Sequence, residues 1–241
     1  MTSPVLKAEL TVGALATGGL AMLVSASADP SWQPPAAAVL AYGIVASILV
    51  LALTGKHGLG WANRVTLLRA AITCALAGAL VQPRLFIEQA GIIVSLALIS
   101  LALDGVDGWL ARRNGESSAF GARFDMETDA ALVLVLCAGL WLSGLAPAWV
   151  LAIGLMRPAF LAGALIWPWL SNPLPDSFRR KLVCVVQVAV LLVALVPYVT
   201  EPVRLTLLAV ALLALGSSFV IDIAWLRKNR QASKHPERTT P

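Results

Sequence analysis

Asp104, Asp107, Asp125 and Asp129 are the residues of this sequence whose type and spacing could do chemistry. The first two stand three positions apart and the last two four apart. On helices, either spacing puts both carboxylates on one face. The segment between the pairs contains Gly108, Gly115, Ser117, Ser118 and Gly121, so the chain can turn there and bring the two helices together as a hairpin. Four acids at close quarters repel one another unless cations neutralise them. An all-oxygen donor set suits Mg²⁺ or Mn²⁺. Residues 104–129 are therefore the expected active site, and its chemistry is metal-assisted.

The elements that must position these acids are membrane helices. Of the 241 residues, 59% are hydrophobic and 13% charged, and the mean hydropathy is +0.82. Such a composition excludes an ordinary soluble domain. A span takes roughly 20 apolar residues, and eight are predicted: 5–28, 35–54, 63–82, 87–110, 125–143, 147–170, 181–200 and 203–226. The first carries Lys7 and Glu9, which makes it the weakest of the eight. It lacks a small-residue cleavage site before a polar segment, which argues against a removed signal peptide.

A net charge of +5 would suit nucleic acid, but its placement does not. Arg64, Arg69, Arg112, Arg113, Arg179, Arg180, Lys181 and most other basic residues collect at alternate span ends; only Arg84 and Arg204 sit at the opposite ones. That asymmetry marks the cytoplasmic side and predicts both termini and the four aspartates there. No nucleic-acid partner is expected. Cys74, Cys137 and Cys184 stand alone in apolar runs without CxxC or Cys/His spacing. They read as packing residues, not as zinc ligands or disulfides.

Written as a pattern, the acidic stretch is D-x2-D-G-x2-A-R-x8-G-x3-D-x3-D, carried by Asp104, Asp107, Gly108, Ala111, Arg112, Gly121, Asp125 and Asp129. It resembles the signature of the CDP-alcohol phosphotransferase family, integral membrane enzymes of phospholipid synthesis, and it matches at every fixed position. The helical hydrophobic pattern extends the resemblance from about residue 60 to residue 228. The family's minimal core has six transmembrane helices. The resemblance thus implies an all-α polytopic membrane protein: a six-helix catalytic core at 59–228 plus two extra N-terminal transmembrane helices at 1–58. A basic cytoplasmic tail, expected to be disordered, would follow at 229–241.

For the main motif, the resemblance implies two divalent ions, Mg²⁺ or Mn²⁺, on Asp104, Asp107, Asp125 and Asp129, with Asp129 as general base. It also implies CDP-lipid contacts from Gly108, Ala111, Arg112 and Ser118; the last reads equally well as a turn or cap residue. A second family signature, P-N-x-x-T-x-x-R, is matched by Asn63, Thr66 and Arg69, with Ala62 in place of the proline. Asn63 can cap a helix, with Thr66 and Arg69 on its face. Either these residues serve as cap and topological charge, or Asn63 and Thr66 contact the nucleotide as the resemblance implies. Arg69 is the weaker candidate.

Glu127 lies two residues from both Asp125 and Asp129 and is expected to face away from the metal shell. Glu116 matches no motif position. His57 is a loop histidine without an acidic neighbour. Arg157, beside Pro158 in an apolar run, needs a partner or a wet cavity. It reads either as an ion pair with the aspartates or, together with Arg180 and Lys181, as a pocket for an acceptor's phosphate, as in family members that use phosphorylated alcohols. Ala130 stands where many members carry a lysine, which loosens the tie to any one acceptor.

The implied reaction moves a phosphatidyl group from CDP-diacylglycerol to a small cytosolic alcohol and releases CMP, in the plane of membrane lipid. Glycerol 3-phosphate is the lead acceptor and inositol phosphate the next. Transfer from CDP-choline or CDP-ethanolamine to diacylglycerol is the reverse arrangement. Family members are often homodimers. An ion-coupled transporter is the alternative from another class, but such proteins carry internal repeats and midplane sites, and no repeat is visible. A non-catalytic scaffold would leave four costly carboxylates without use.

Overall fold

In the computed structural model, the described residues are 3–26, 31–53, 58–114, 118–172, 175 and 177–232. Among them there is no strand. A long helix stands at each of the eight predicted spans: α1 (Pro4–Ser25), α2 (Gln33–Ala52), α3 (Trp61–Gly78), α5 (Ala90–Asn114), α6 (Ala119–Leu142), α7 (Leu151–Ile166), α8 (Phe178–Ala194) and α9 (Glu201–Ala232). A single turn, α4 (Leu85–Glu88), precedes α5. Six stretches are long and apolar enough to cross a membrane: Pro4–Ser25, Gln33–Ala52, Trp61–Val81, Ala90–Leu110, Ala148–Ile166 and Glu201–Asn229. Of the other two helices, α6 carries Asp125, Glu127 and Asp129, and α8 has 17 residues.

The helix ends differ from expectation where the acidic motif lies. α5 runs on to Asn114 instead of stopping at 110. It passes through Gly105 and Gly108, each of which costs a helix only about 1 kcal/mol. α6 starts at Ala119, ahead of the apolar span from 125 and close to the motif glycine Gly121, because the Ser118 hydroxyl accepts the Gly121 N–H at 3.0 Å and caps it. The loop between the two helices is correspondingly short.

α3 is the centre of the molecule. Two thirds of its apolar stretch is buried (67%), against 17–33% for the other five, and it packs against α1, α2, α5 and α6. Leu76, Phe86, Ile93, Leu136, Leu140 and Ile153 fill the main core around it. Leu6, Tyr42, Leu49, Leu67 and Ala71 form a second cluster that fastens α1 and α2 to its other side. Tyr42 is not the interfacial anchor its type suggests. It is buried, its ring lies over Gly13, and its hydroxyl donates to the Leu10 carbonyl at 3.1 Å.

Arg204 is likewise more than a topological charge. It is 7% exposed, and its guanidinium donates to the Ala194 carbonyl at 2.8 Å and the Val199 carbonyl at 2.9 Å. It thereby satisfies one carbonyl that the end of α8 leaves open and another in the turn that follows. Near the opposite end of the same helix pair, Arg179 bonds Ser218 Oγ and Asp222 Oδ1 of α9, each at 2.6 Å.

α2 and α3 meet where Gly78 has no side chain: a Cβ there would lie 2.7 Å from the Ala38 Cβ and 2.9 Å from the Ala38 nitrogen. Gly78→Ala should therefore destabilise the protein by about 1–3 kcal/mol through overpacking. Gly91→Ala, where a Cβ meets nothing within 4 Å, should not. Thermal unfolding of the two variants in detergent checks the contrast; equal Tm values would count against this packing.

Candidate active site

α5 presents Asp104 and Asp107 one turn apart, and α6 presents Asp125 and Asp129 likewise. Both helices lean on α3, so the two pairs converge. Carboxylate oxygens of Asp104, Asp107 and Asp125 lie within 4.8 Å of one another. Between them reaches Arg69 from α3. Its Nη2 is 3.0 Å from Asp104 Oδ1, its Nη1 is 2.6 Å from Asp107 Oδ2, and the same two nitrogens pair with Asp125 Oδ1 and Asp129 Oδ1. One turn earlier, the Thr66 hydroxyl is 3.1 Å from Asp107 Oδ2 and donates to it.

The site is graded in depth. The Arg69 side chain is 1% exposed and that of Asp107 5%, while Asp125, Asp104 and Asp129 are 33%, 38% and 49% exposed. Asp107 is the floor and Asp129 the rim. A guanidinium at this depth in apolar surroundings is costly unless paired. Here the quartet pairs it, but a single positive charge against four negative ones leaves the centre strongly anionic. Hard oxygen donors, converging and in excess charge, are what a divalent cation needs. The residues present therefore fit Mg²⁺ or Mn²⁺, and Asp104, Asp107 and Asp125 are the group close enough to share one.

The second signature lies alongside. α3 begins at Trp61 behind Gly60, with no side-chain cap, so Asn63 is inside the helix and does not cap it. Gly is tolerated at the cap position, which moves the start ahead of Asn63. The amide of Asn63 instead lies against the start of α6: a Cβ on Gly121 would be 2.7 Å from Asn63 Oδ1. Gly121 thus gives Asn63 room beside the capping Ser118. Gly108 lies inside α5, half-buried. The side chains of Ala111, Arg112 and Lys181, together with His57, Glu116, Ser117 and the tail from 233, lie outside the described residues.

Glu127 faces away from the quartet, as expected, and pairs with Arg157 of α7 at 3.1 Å. The partner of Arg157 is therefore this glutamate and not the aspartate cluster. Arg180 is 3.9 Å from Asp222 and donates to the Pro175 carbonyl.

Two participants carry more than their sequence reading gave them. Arg69 is the common partner of all four acids. The signal was present: an arginine more than two turns inside an apolar helix must find carboxylates. Glu9 of α1 is the other: its carboxylate bonds the Leu59 N–H at 3.0 Å and Arg64 Nε at 2.8 Å. No local pattern points to those partners.

Fold and centre define a helical integral membrane protein with a converging acidic centre at which a divalent cation could be held. Residues 59–220 match the CDP-alcohol phosphatidyltransferase family, more than half of the chain, and the chain belongs to that family. Its activity is thereby of the CDP-alcohol phosphotransferase kind, in which a CDP-alcohol and an alcohol acceptor meet in a membrane, and the family is in general dependent on divalent metal. No solved structure matches the chain significantly. α1 and α2 precede the matched segment.

Removing the guanidinium leaves four carboxylates facing one another. Arg69→Met should destabilise the protein by about 3 kcal/mol in a chelating buffer, and millimolar Mn²⁺ should restore much of the loss. Differential scanning of Tm with and without Mn²⁺ reads this directly. A variant as stable as the wild type in chelator would contradict the pairing.

Proposed function

We propose that this protein transfers the phosphatidyl group of CDP-diacylglycerol to glycerol 3-phosphate, releasing CMP. The carrying observation is the convergence of Asp104, Asp107, Asp125 and Asp129 on one point. In this reading, residues 59–228 are the catalytic unit, 1–58 an addition to it, and the centre opens to the cytoplasm of a bacterial-type membrane. The acyl chains stay in lipid while the soluble alcohol arrives from water.

The acceptor's hydroxyl oxygen attacks the phosphorus that carries diacylglycerol. The bond from that phosphorus to the oxygen shared with CMP breaks, CMP departs with the electron pair, and the hydroxyl proton passes to Asp129. The exposure of Asp129 supports that role, since it is the acid most open to water. Two divalent cations held by the quartet would supply Lewis-acid charge at the diphosphate. Thr66 and Arg69 keep Asp107 and its neighbours oriented. Asn63 and Ser118, at the start of α6, suit the nucleotide side: a helix N-terminus favours phosphate. Gly108, Ala111 and Arg112 complete the CDP-lipid contacts.

Arg157, Arg180 and Lys181 form the acceptor-phosphate pocket in this account. The side chains of Arg157 and Arg180 are 32% and 27% exposed, so an incoming phosphate can exchange with or join their carboxylate partners. Inositol phosphate offers the same handle; an uncharged alcohol such as inositol offers none.

Purified protein with CDP-diacylglycerol and Mg²⁺ or Mn²⁺ should release CMP with glycerol 3-phosphate and not with inositol, serine or choline. Asp129→Asn should lower the rate by roughly 10²–10⁴-fold, the usual worth of a positioned base. Arg157→Ala should raise KM for the acceptor while leaving that for the donor near its original value. CMP release with inositol phosphate alone would change the acceptor. Release only from CDP-choline or CDP-ethanolamine with diacylglycerol would reverse donor and acceptor.

A further inference from the structure

Glu9 is a carboxylate in the second turn of α1, in an apolar helix pair that lies outside the matched family segment. Its side chain is 12% exposed, and such a charge needs compensation. Among the described residues, the compensation comes from the approach to α3 and its first turn. Oε2 accepts the Leu59 N–H at 3.0 Å, and Oε1 takes Arg64 Nε at 2.8 Å and Nη2 at 2.7 Å. Arg64 is held from the other side by the Trp61 ring, 4.6 Å from its guanidinium carbon. Gly58 leaves the space: a Cβ there would be 3.3 Å from Val5 and 3.5 Å from the carboxylate.

Glu9 therefore grips the chain just before and just after the start of α3. That helix has no side-chain cap of its own, and a carboxylate at its N-terminus complements the helix dipole. Asn63 lies between the two gripped points, against Gly121 at the head of α6. Thr66 and Arg69 follow on the Asp107 side. We infer that Glu9 is a positioning residue for the CDP-lipid side of the site, and that the N-terminal hairpin belongs to the donor-binding apparatus. The inference rests on the donor-site reading above. It makes the hairpin more than a membrane anchor: α1 sets where the first turn of α3 stands relative to α6, and so where Asn63 meets the nucleotide.

The test compares full-length wild type, Glu9→Leu, Glu9→Gln, Arg64→Gln and the Glu9→Gln/Arg64→Gln pair. Glu9→Leu should raise KM for CDP-diacylglycerol about tenfold, the scale of a lost charged hydrogen bond. kcat, acceptor KM and Mn²⁺ affinity should stay within about threefold on the same scale. Glu9→Gln, which keeps an acceptor for Leu59, should fall between. The double variant should be no worse than the worse single one, because both act through one contact. The Kd for CDP in the presence of Mg²⁺, by calorimetry, should move with the donor KM. A lower Tm with donor KM and CDP Kd unchanged would make Glu9 a structural anchor only and overturn the inference. If the wild type releases no CMP, the reaction reading fails while the CDP Kd still decides the role of Glu9. A wild type that binds no CDP would overturn both.

Discussion

One buried guanidinium among four carboxylates is the constraint around which the rest of this structure is arranged. Arg69 comes from α3, Asp104 and Asp107 from α5, Asp125 and Asp129 from α6. In an apolar setting neither side is tolerable without the other: a lone arginine is costly, and four clustered acids repel. The three helices must therefore close on one point. That requirement explains why α3 is the most buried span and why both acidic helices pack against it. Small residues allow the approach, Gly121 beside Asn63 among them.

Charge balance then separates the roles of the remaining ionised groups. Glu127 is drawn off by Arg157, and Asp222 by Arg179 and Arg180. Glu9 is drawn off by Arg64. Among the described residues, the quartet is where four carboxylates share a single guanidinium, so a divalent cation of the kind the family in general uses has a place to bind there. Exposure rises from Asp107 to Asp129, so in the proposed reaction the first is the metal-holding floor and the second the proton-handling rim.

The sequence made the architecture legible to the extent that hydrophobicity and spacing report it. Eight apolar runs became eight long helices, and the paired aspartates met as their spacing required. The end of α5 was placed short because polar residues there resemble a break, and the helix continues to Asn114; the cap reading of Ser118 is the one the structure shows. Arg69 and Glu9 were undervalued for one shared reason. Arg69 read as a topological charge at a motif position, and Glu9 only as a mark against the first span. The partners that make each favourable are 35 to 60 residues away in sequence for Arg69 and 50 to 55 away for Glu9. Tyr42, likewise, has an acceptor on a neighbouring helix that no pattern in α2 announces.

The most direct test of the central claim is calorimetric titration of Mn²⁺ into purified wild type and Asp107→Asn, the innermost acid. The account predicts saturable binding by the wild type and its loss, or a fall of at least tenfold in affinity, in the variant. Wild-type protein that binds no Mn²⁺, or an Asp107→Asn variant that binds it equally well, would contradict a cation centre built on this quartet.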